Sequence, residues 1–557
     1  MDSSKRTDDI GEHAVQGILG PNPFVGFRGE DVLATLGALG REVARHPNLV
    51  IEQQAGLARE LIQIIAGKAT TEPASTDKRF ADSAWKDNPF YERFVAGYLS
   101  WDKSLNDLID KTTFDARTKE QARFVTRLWT DALSPSNWPL NPVALKRAVD
   151  TGGKSGVDGV KNLLRDILHN GGMPTQVDKS AFKVGENLGI SEGSVVFRND
   201  VLELIQYRPA TGDVHVRPTL FIPPQINKFY VFDLAPGRSL VELMTKNGIQ
   251  VFCVSWRNPT AEQRDWNLDT YVLALDEAIG AMQQICSVHD VNIMGACSGG
   301  MTQTALMGYY AATDRSFINA ATMLVAVLQS PEDTSLSLFT SPETVAAAKA
   351  ASAAKGVLDG KDMSRVFAWL RPNDLVWNYW VNNYLLGNPP PAFDILYWNS
   401  DTTNLPAKFH GELLDIFLDN AFKTGIDVLG KRIDLAQITL DKFVVAGVTD
   451  HITPWKTVYK TTLMFGAGSE MILSASGHIQ SLINPPGNKK SKYFTNPDRP
   501  AEPEAWLEAA TVTEGSWWGR WATWTIEHSG EKKSAPAELG NATFPPIGKA
   551  PGEYVFQ

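Results

Sequence analysis

Residues 291–300 read VNIMGACSGG, a short apolar run that ends in Gly295-Ala296-Cys297-Ser298-Gly299. A nucleophile lifted above the end of a sheet on a strand-to-helix turn sits in strained backbone, so the residues two before and two after it must be nearly free of side chain. Gly295 and Gly299 meet that need, with sulfur where such turns more often carry oxygen. The following MTQTALMGYYAA predicts a helix whose first amides point toward the sulfur. Cys297 is therefore the candidate nucleophile. A second register, Ala296-Cys297-Ser298-Gly299-Gly300, would centre an Ala-x-Ser-x-Gly box on Ser298, at the cost of alanine on the tighter flank. A plain strand turn around a buried thiol fits the ten residues too, so the rest of the chain has to decide.

The chain has 557 residues, enough for two to four folding units. Its 43% hydrophobic and 21% charged content is that of a soluble globular protein. A net charge of −10 argues against a general nucleic-acid partner, which calls for a basic surface. The N-terminal MDSSKRTDDIGEH has no apolar stretch of the secretory kind, and no run reaches the roughly 18 apolar residues of a membrane span. A cytoplasmic protein is expected. The three cysteines, Cys253, Cys286 and Cys297, make a disulfide framework improbable, and none has metal-ligand spacing with histidine. Cys253 in IQVFCVSW and Cys286 on a helix's apolar side read as inert core thiols.

Apolar spacings of three and four run through EDVLATLGALGREVARH, VIEQQAGLARELIQIIAG, FYERFVAGYLSWDKSLNDLI, DARTKEQARFVTRLWTDAL and GVDGVKNLLRDILHN. They predict a helical N-terminal domain over residues 1–185, with TTEPASTDKRF as an exposed loop. From about residue 186 the period changes. SVVFRN, VLELIQYRP, PTLFIPP, KFYVFDL and VFCVSW read as strands, the first as antiparallel edge hairpins, before the long helix LDTYVLALDEAIGAMQQIC. INAATMLVAVLQ, FVVAGVTD and SEMILSAS read as further buried strands. Strands alternating with helices imply an α/β fold with a mostly parallel sheet over 186–557 and a site at the strands' carboxyl ends. Between about 330 and 440 aromatic, asparagine and proline residues break the alternation, which suggests an inserted cap or lid, or else a bulky packing annex with no moving part. Trp517, Trp518, Trp521 and Trp524 read as a broad packed face, and the tail after them as an extended strap.

A thiol that acts on an acyl group needs a base and a third group to orient that base. Of nine histidines, His410, His451, His478 and His528 follow the elbow. His478 comes after a predicted strand through Gly477, where the base of a hydrolase-type sheet belongs, and Asp450 at the end of FVVAGVTD is placed as the acid. His451 is its immediate neighbour and points elsewhere. His410 and His528 lack strand context. An oxyanion hole would take the Ser298 amide and one from the loop stiffened by Pro223-Pro224, from Ile226 or Asn227.

The order of GACSGG, PPQINKFYVFDL, NDLVWNYWVNNYLLG, PPAFDILYWNSDTTNLP, TDHITPW, SGHIQSLINPP and GSWWGRW is similar to that of the single-subunit polyhydroxyalkanoate synthases, of short- or medium-chain-length type, from about residue 80 onward. The resemblance implies an α/β-hydrolase-type catalytic domain that transfers (R)-3-hydroxyacyl groups from coenzyme A to a nascent polyester through a Cys297 thioester, releasing free coenzyme A. It implies His478 as general base, Asp450 as triad acid, the Ser298 and Ile226 amides as oxyanion hole, and no assigned role for His451. Ser298 departs from the small apolar residue often found there. The resemblance also implies a homodimer at the surface of cytoplasmic polyester granules, granule-associated proteins as companions, and no cofactor or metal, coenzyme A thioester being substrate. Two rival readings stand beside it: a thioesterase on the same fold, and a granule-coating protein with no activity.

Overall fold

The computed structural model describes residues 29–68, 71–330, 342–364, 372–450, 452–466 and 468–557. They divide into two compact units, one of residues 29–178 with 372–393, the other of residues 179–364 with 394–557.

The first unit is helical: α1 Gly29–Arg45, α2 Pro47–Ile65, α3 Pro89–Asp110, α4 Ala116–Ala132, α5 Pro142–Asp150 and α6 Lys154–His169. Local chemistry sets where they start. Proline occupies the first turn of α2, α3 and α5, and the Asn88, Asp115 and Asn141 side chains accept the first free amides of α3, α4 and α5. The stretch read as an exposed loop is one through residues 71–77, with Glu72, Ala74, Ser75 and Thr76 exposed, and its last residue, Phe80, is buried beside Trp85, Val95 and Tyr98. Asp77 caps a short turn there, and Arg79 bridges Asp77 and Asp131.

Residues 372–393, which the sequence suggests as part of an insertion over the sheet, belong to this helical unit. They form π-helical turns at Asn373–Trp377 and Trp380–Leu385. The backbone of these turns lies directly on α6: a Cβ on Gly159 would sit 2.0 Å from the Tyr384 carbonyl oxygen, and one on Gly387 2.2 Å from that of Ser155. Tyr384 Oη donates to buried Asp166 at 2.8 Å.

The second unit is built on an eleven-stranded sheet: β1 Gly193–Arg198, β2 Leu202–Tyr207, β3 Thr219–Ile222, β4 Val251–Trp256, β5 Val291–Ala296, β6 Ile318–Leu324, β7 Asp441–Gly447, β8 Ser469–Ser474, β9 Lys492–Thr495, β10 Thr511–Glu514 and β11 Gly548–Lys549. The spatial order is β10-β9-β8-β7-β6-β5-β3-β4-β2-β1-β11. The six strands from β8 to β4 are parallel, and the flanking ones antiparallel. Strands β3 and β4 are buried at every position, as their near-continuous apolar runs require of a sheet covered on both faces. The helix Leu268–Cys286, α7, connects β4 to β5, and Ser298–Ala312, α8, follows β5. Register decides the rest. Ile222 pairs with Gly295, Ala296 with Leu324, Leu324 with Val445, and Gly447 with Ser474, so the loops leaving β3, β5, β7 and β8 emerge at one edge.

KFYVFDL is not a strand: Phe229–Phe232 is a tight helical turn with all four side chains buried. Its aromatic and β-branched residues are there to fill the core at the end of β3, a demand that composition cannot separate from strand pairing. Within the stretch suggested as a lid, Pro342–Lys355 (α9) packs on Ala407–Leu418 (α10), joined by the Lys349–Asp415 ion pair and by buried His410 Nδ1 2.8 Å from Ser352 Oγ. Residues 331–341 and 365–371 of that stretch lie outside the described residues. Trp517, Trp518, Trp521 and Trp524 are buried on the helix Trp518–Glu527 and at its start. Among the described residues no helix is long and apolar enough to cross a membrane.

Candidate active site

Cys297 occupies the bend between β5 and α8 with φ 50° and ψ −121°, a conformation few residues with a side chain adopt. Three glycines make the bend possible. A Cβ on Gly295 would come within 2.7 Å of Gln303 Oε1, one on Gly299 within 2.5 Å of the Ile222 and Pro223 carbonyl oxygens, and one on Gly300 within 2.6 Å of Ala326 Cβ. Gly295 and Gly299 are legible in the sequence as spacing; the need at Gly300 depends on a neighbour from beyond β6. The strained residue is the cysteine. Ser298 is buried in the first turn of α8, and its Oγ accepts the Gln225 amide at 3.2 Å, so the serine-centred register has no geometry behind it.

Asp450 follows β7 and is buried, with its amide donating to the Gly447 carbonyl at 3.1 Å. Its Oδ1 accepts the Ile452 and Thr453 amides, each at 2.9 Å. Its Oδ2 accepts Thr453 Oγ1 at 2.6 Å and meets His478 Nδ1 at 2.7 Å. His478 opens the short helix His478–Leu482, α11, immediately after β8 and Gly477. Gly447 lets that helix come down on the strand end, since a Cβ there would lie 2.5 Å from Ser481 Oγ. Trp517 Nε1 and Trp518 Nε1 donate to the Ser481 and Leu482 carbonyls at 2.9 and 3.1 Å, satisfying two acceptors that a helix end otherwise leaves open. The tryptophan cluster thus fixes the element that carries the imidazole.

The structure brings Cys297, Asp450 and His478 together. Burial alone would favour the neutral His478 ring, but the Asp450 charge and hydrogen bond, and a side-chain hydrogen bond with Cys297, outweigh it and hold the imidazole pKa well above its ordinary value. For Asp450 the balance is the mirror image: burial opposes the carboxylate, while the His478 charge and the bonds from His478 and Thr453 depress its pKa. With Nδ1 engaged by Asp450, Nε2 is the nitrogen left for the sulfur. A buried carboxylate, an oriented imidazole and a partly exposed thiol on a strained turn can form and discharge a covalent acyl-enzyme.

The loop carrying Ile226 leaves β3 beside the elbow. Gln225 binds Ser298 through its amide, and its Nε2 donates to Thr302 Oγ1 at 2.9 Å, while Thr403 donates its amide to the Ile226 carbonyl at 3.0 Å. Through Gln225 the loop that carries Ile226 is tied to Ser298, the residue after the thiol. His451 lies outside the described residues. His410 is in the buried Ser352 contact, and His528 Nδ1 meets the Trp524 carbonyl oxygen. Among the described residues no three His, Cys, Asp or Glu side chains are grouped to hold a metal ion. Sequence reasoning missed Thr453, Gln225 and Gly447, each of which acts through a contact between separate strand ends.

The family described as "Poly-beta-hydroxybutyrate polymerase (PhaC) N-terminus" matches residues 76–244, and "alpha/beta hydrolase fold" matches residues 218–485. The chain is 48% identical to poly(3-hydroxyalkanoate) polymerase 1 of Ectopseudomonas oleovorans, over 100% of both chains. It is 49% identical to polymerase 2 of the same organism over 96% of each chain. It is 38% identical to the poly(3-hydroxyalkanoate) polymerase subunit PhaC of Cupriavidus necator, over 88% of this chain and 84% of that one. With relatives this similar along nearly all its length, the chain belongs to the poly(3-hydroxyalkanoate) polymerase family, and is a polyester-forming acyltransferase on an α/β-hydrolase sheet.

Proposed function

We propose that the protein moves (R)-3-hydroxyacyl groups from coenzyme A thioesters onto a growing polyhydroxyalkanoate chain, through a thioester on Cys297. The observation that carries this reading is the Cys297 thiol on its positive-φ bend, bonded to an imidazole whose Nδ1 lies 2.7 Å from buried Asp450. In the first half-reaction His478 takes the thiol proton and the sulfur attacks the acyl carbonyl. The carbon–sulfur bond to coenzyme A then breaks, and the departing sulfur leaves with that proton. Amides of Ser298 and Ile226 hold the oxyanion between those events. In the second half-reaction the hydroxyl at the end of the bound chain attacks the Cys297 thioester, passes its proton to His478, and restores the thiol. The sum is one ester bond made and one free coenzyme A released, with no cofactor consumed.

Water competes with that hydroxyl for the same acyl group, so a polymerase must keep its site dry. The packing of α9 on α10, and the Thr403 hold on the Ile226 loop, support residues 342–364 and 394–440 as the water-excluding cap. The same reading gives a homodimer acting in the cytoplasm at the polyester surface, with granule-associated proteins as companions. Exposed Val157, Val160, Leu164 and Leu168 on α6 support contact with an apolar phase. The test is the product. Supplied with 3-hydroxybutyryl- or 3-hydroxyoctanoyl-coenzyme A, the protein should release one thiol per residue of polymer formed; thiol release with only soluble hydroxy acid would make it a thioesterase.

A further inference from the structure

Thr453 is none of the three catalytic side chains, yet its hydroxyl reaches both members of the acid–base pair. Oγ1 lies 2.6 Å from Asp450 Oδ2 and 3.2 Å from His478 Nδ1, and all three side chains are buried. The carboxylate oxygen that binds the imidazole is therefore shared, while the other oxygen is occupied by the Ile452 and Thr453 amides. A hydroxyl has one proton to give. Placed as it is, that proton goes to Oδ2 and withdraws part of the charge that the imidazolium would otherwise have to itself.

We infer that Thr453 is a positioning residue of the acid–base pair: by sharing Asp450 Oδ2 with His478 Nδ1 it fixes the carboxylate's orientation and limits how tightly the ring holds its proton. The inference rests on the proposed roles of Asp450 and His478 but not on the identity of the acyl acceptor. Too basic an imidazole would keep its proton when the attacking hydroxyl needs a base, so a neutral donor on the shared oxygen is a means of adjusting it downward. Among the described residues, the titratable groups that meet the His478 ring are Asp450 after β7 and Cys297 at the elbow.

The experiment needs no substrate, so its outcome is independent of whether polymer or hydroxy acid is the product. The rate of Cys297 alkylation by iodoacetamide is followed against pH in the full chain, in Thr453→Val, which keeps the shape and loses the donor, and in Thr453→Ser, which keeps the donor. A thiol beside an imidazolium reacts in two waves, the upper one as the ring loses its proton and the thiolate gains nucleophilicity. That wave is assigned by its disappearance in His478→Gln. Loss of the hydroxyl's hydrogen bond to the carboxylate should move it upward by roughly half to one pH unit in Thr453→Val, with Thr453→Ser returning it to the parent position. An upper wave that stays put or moves down in Thr453→Val, or moves equally in Thr453→Ser, overturns the inference. Should Thr453→Val lose its cooperative melt, Thr453→Ala is read by the same criterion.

Discussion

Cys297 is set apart from the other two cysteines by its surroundings. Cys253 and Cys286 are buried, and burial pushes their thiols up, Cys286 to about 12, so both are inert packing residues. Cys297 is partly exposed, on a strained turn, in contact with an imidazole. Cys297→Ala should therefore abolish acyl-enzyme formation, measured by trapping labelled protein after rapid acid quench, whereas Ser298→Ala should keep most activity and lose only the anchor for Gln225. The reverse ranking would move the nucleophile to Ser298. Triad members removed singly from hydrolases cost about 10⁶-fold at the base and about 10⁴-fold at the acid, and turnover in His478→Gln and Asp450→Asn should fall in that order; equal rates for His478→Gln and the parent would remove the base assignment. Cys297, Asp450 and His478 are legible in the sequence because each ends a strong apolar run in a chain order that the fold dictates. Thr453 is not, because its partner His478 arrives from the neighbouring strand end and nothing in ITPW records that approach.

The elements around the site depend on a few close approaches between backbones. At Gly299 an added methyl would meet the backbone carbonyl oxygens of Ile222 and Pro223 where β3 ends, whereas at Gly300 it would meet the Ala326 methyl. Gly299→Ala should cost about 1–3 kcal/mol in urea denaturation and slow Cys297 alkylation, with a smaller effect for Gly300→Ala; indifference at Gly299 would mean that the elbow tolerates a looser turn. Trp517→Phe should lower turnover with little change in fold, since it frees the Ser481 carbonyl on the helix that opens with His478. Strand and helix positions are legible wherever period and caps agree, as in Leu268–Cys286, which Asn267 caps. They are lost where aromatic residues fill space. Phe229–Phe232 has strand composition but turns at a strand end, and residues 372–393 give no sign that Gly159 and Gly387 admit their backbone to the helical unit.

At the scale of the molecule, the His478–Asp450 pair ties stability to pH. His478, raised above its reference of 6.5, contributes stability that is complete below that value and is lost as pH rises through the folded pKa; Asp450, depressed below 3.8, contributes stability present above that value and lost as pH falls through the folded one. The pair's contribution is thus greatest between roughly pH 4 and 6.5. The stability gap between the parent and Asp450→Asn, from urea denaturation, should be widest in that window and narrow toward alkaline pH; a gap independent of pH would mean that the pair is not ionised. Which acyl lengths enter is not legible in the sequence, because the pocket is set by side chains that no periodic pattern singles out. The most direct test of the covalent mechanism is to mix the protein with labelled 3-hydroxyacyl-coenzyme A, quench within one turnover, and map the label by peptide mass. The mechanism predicts a hydroxylamine-sensitive acyl group on the peptide containing Cys297, which passes into polymer when more substrate is added. Label on Ser298, or polymer made at the parental rate by Cys297→Ala, would contradict it.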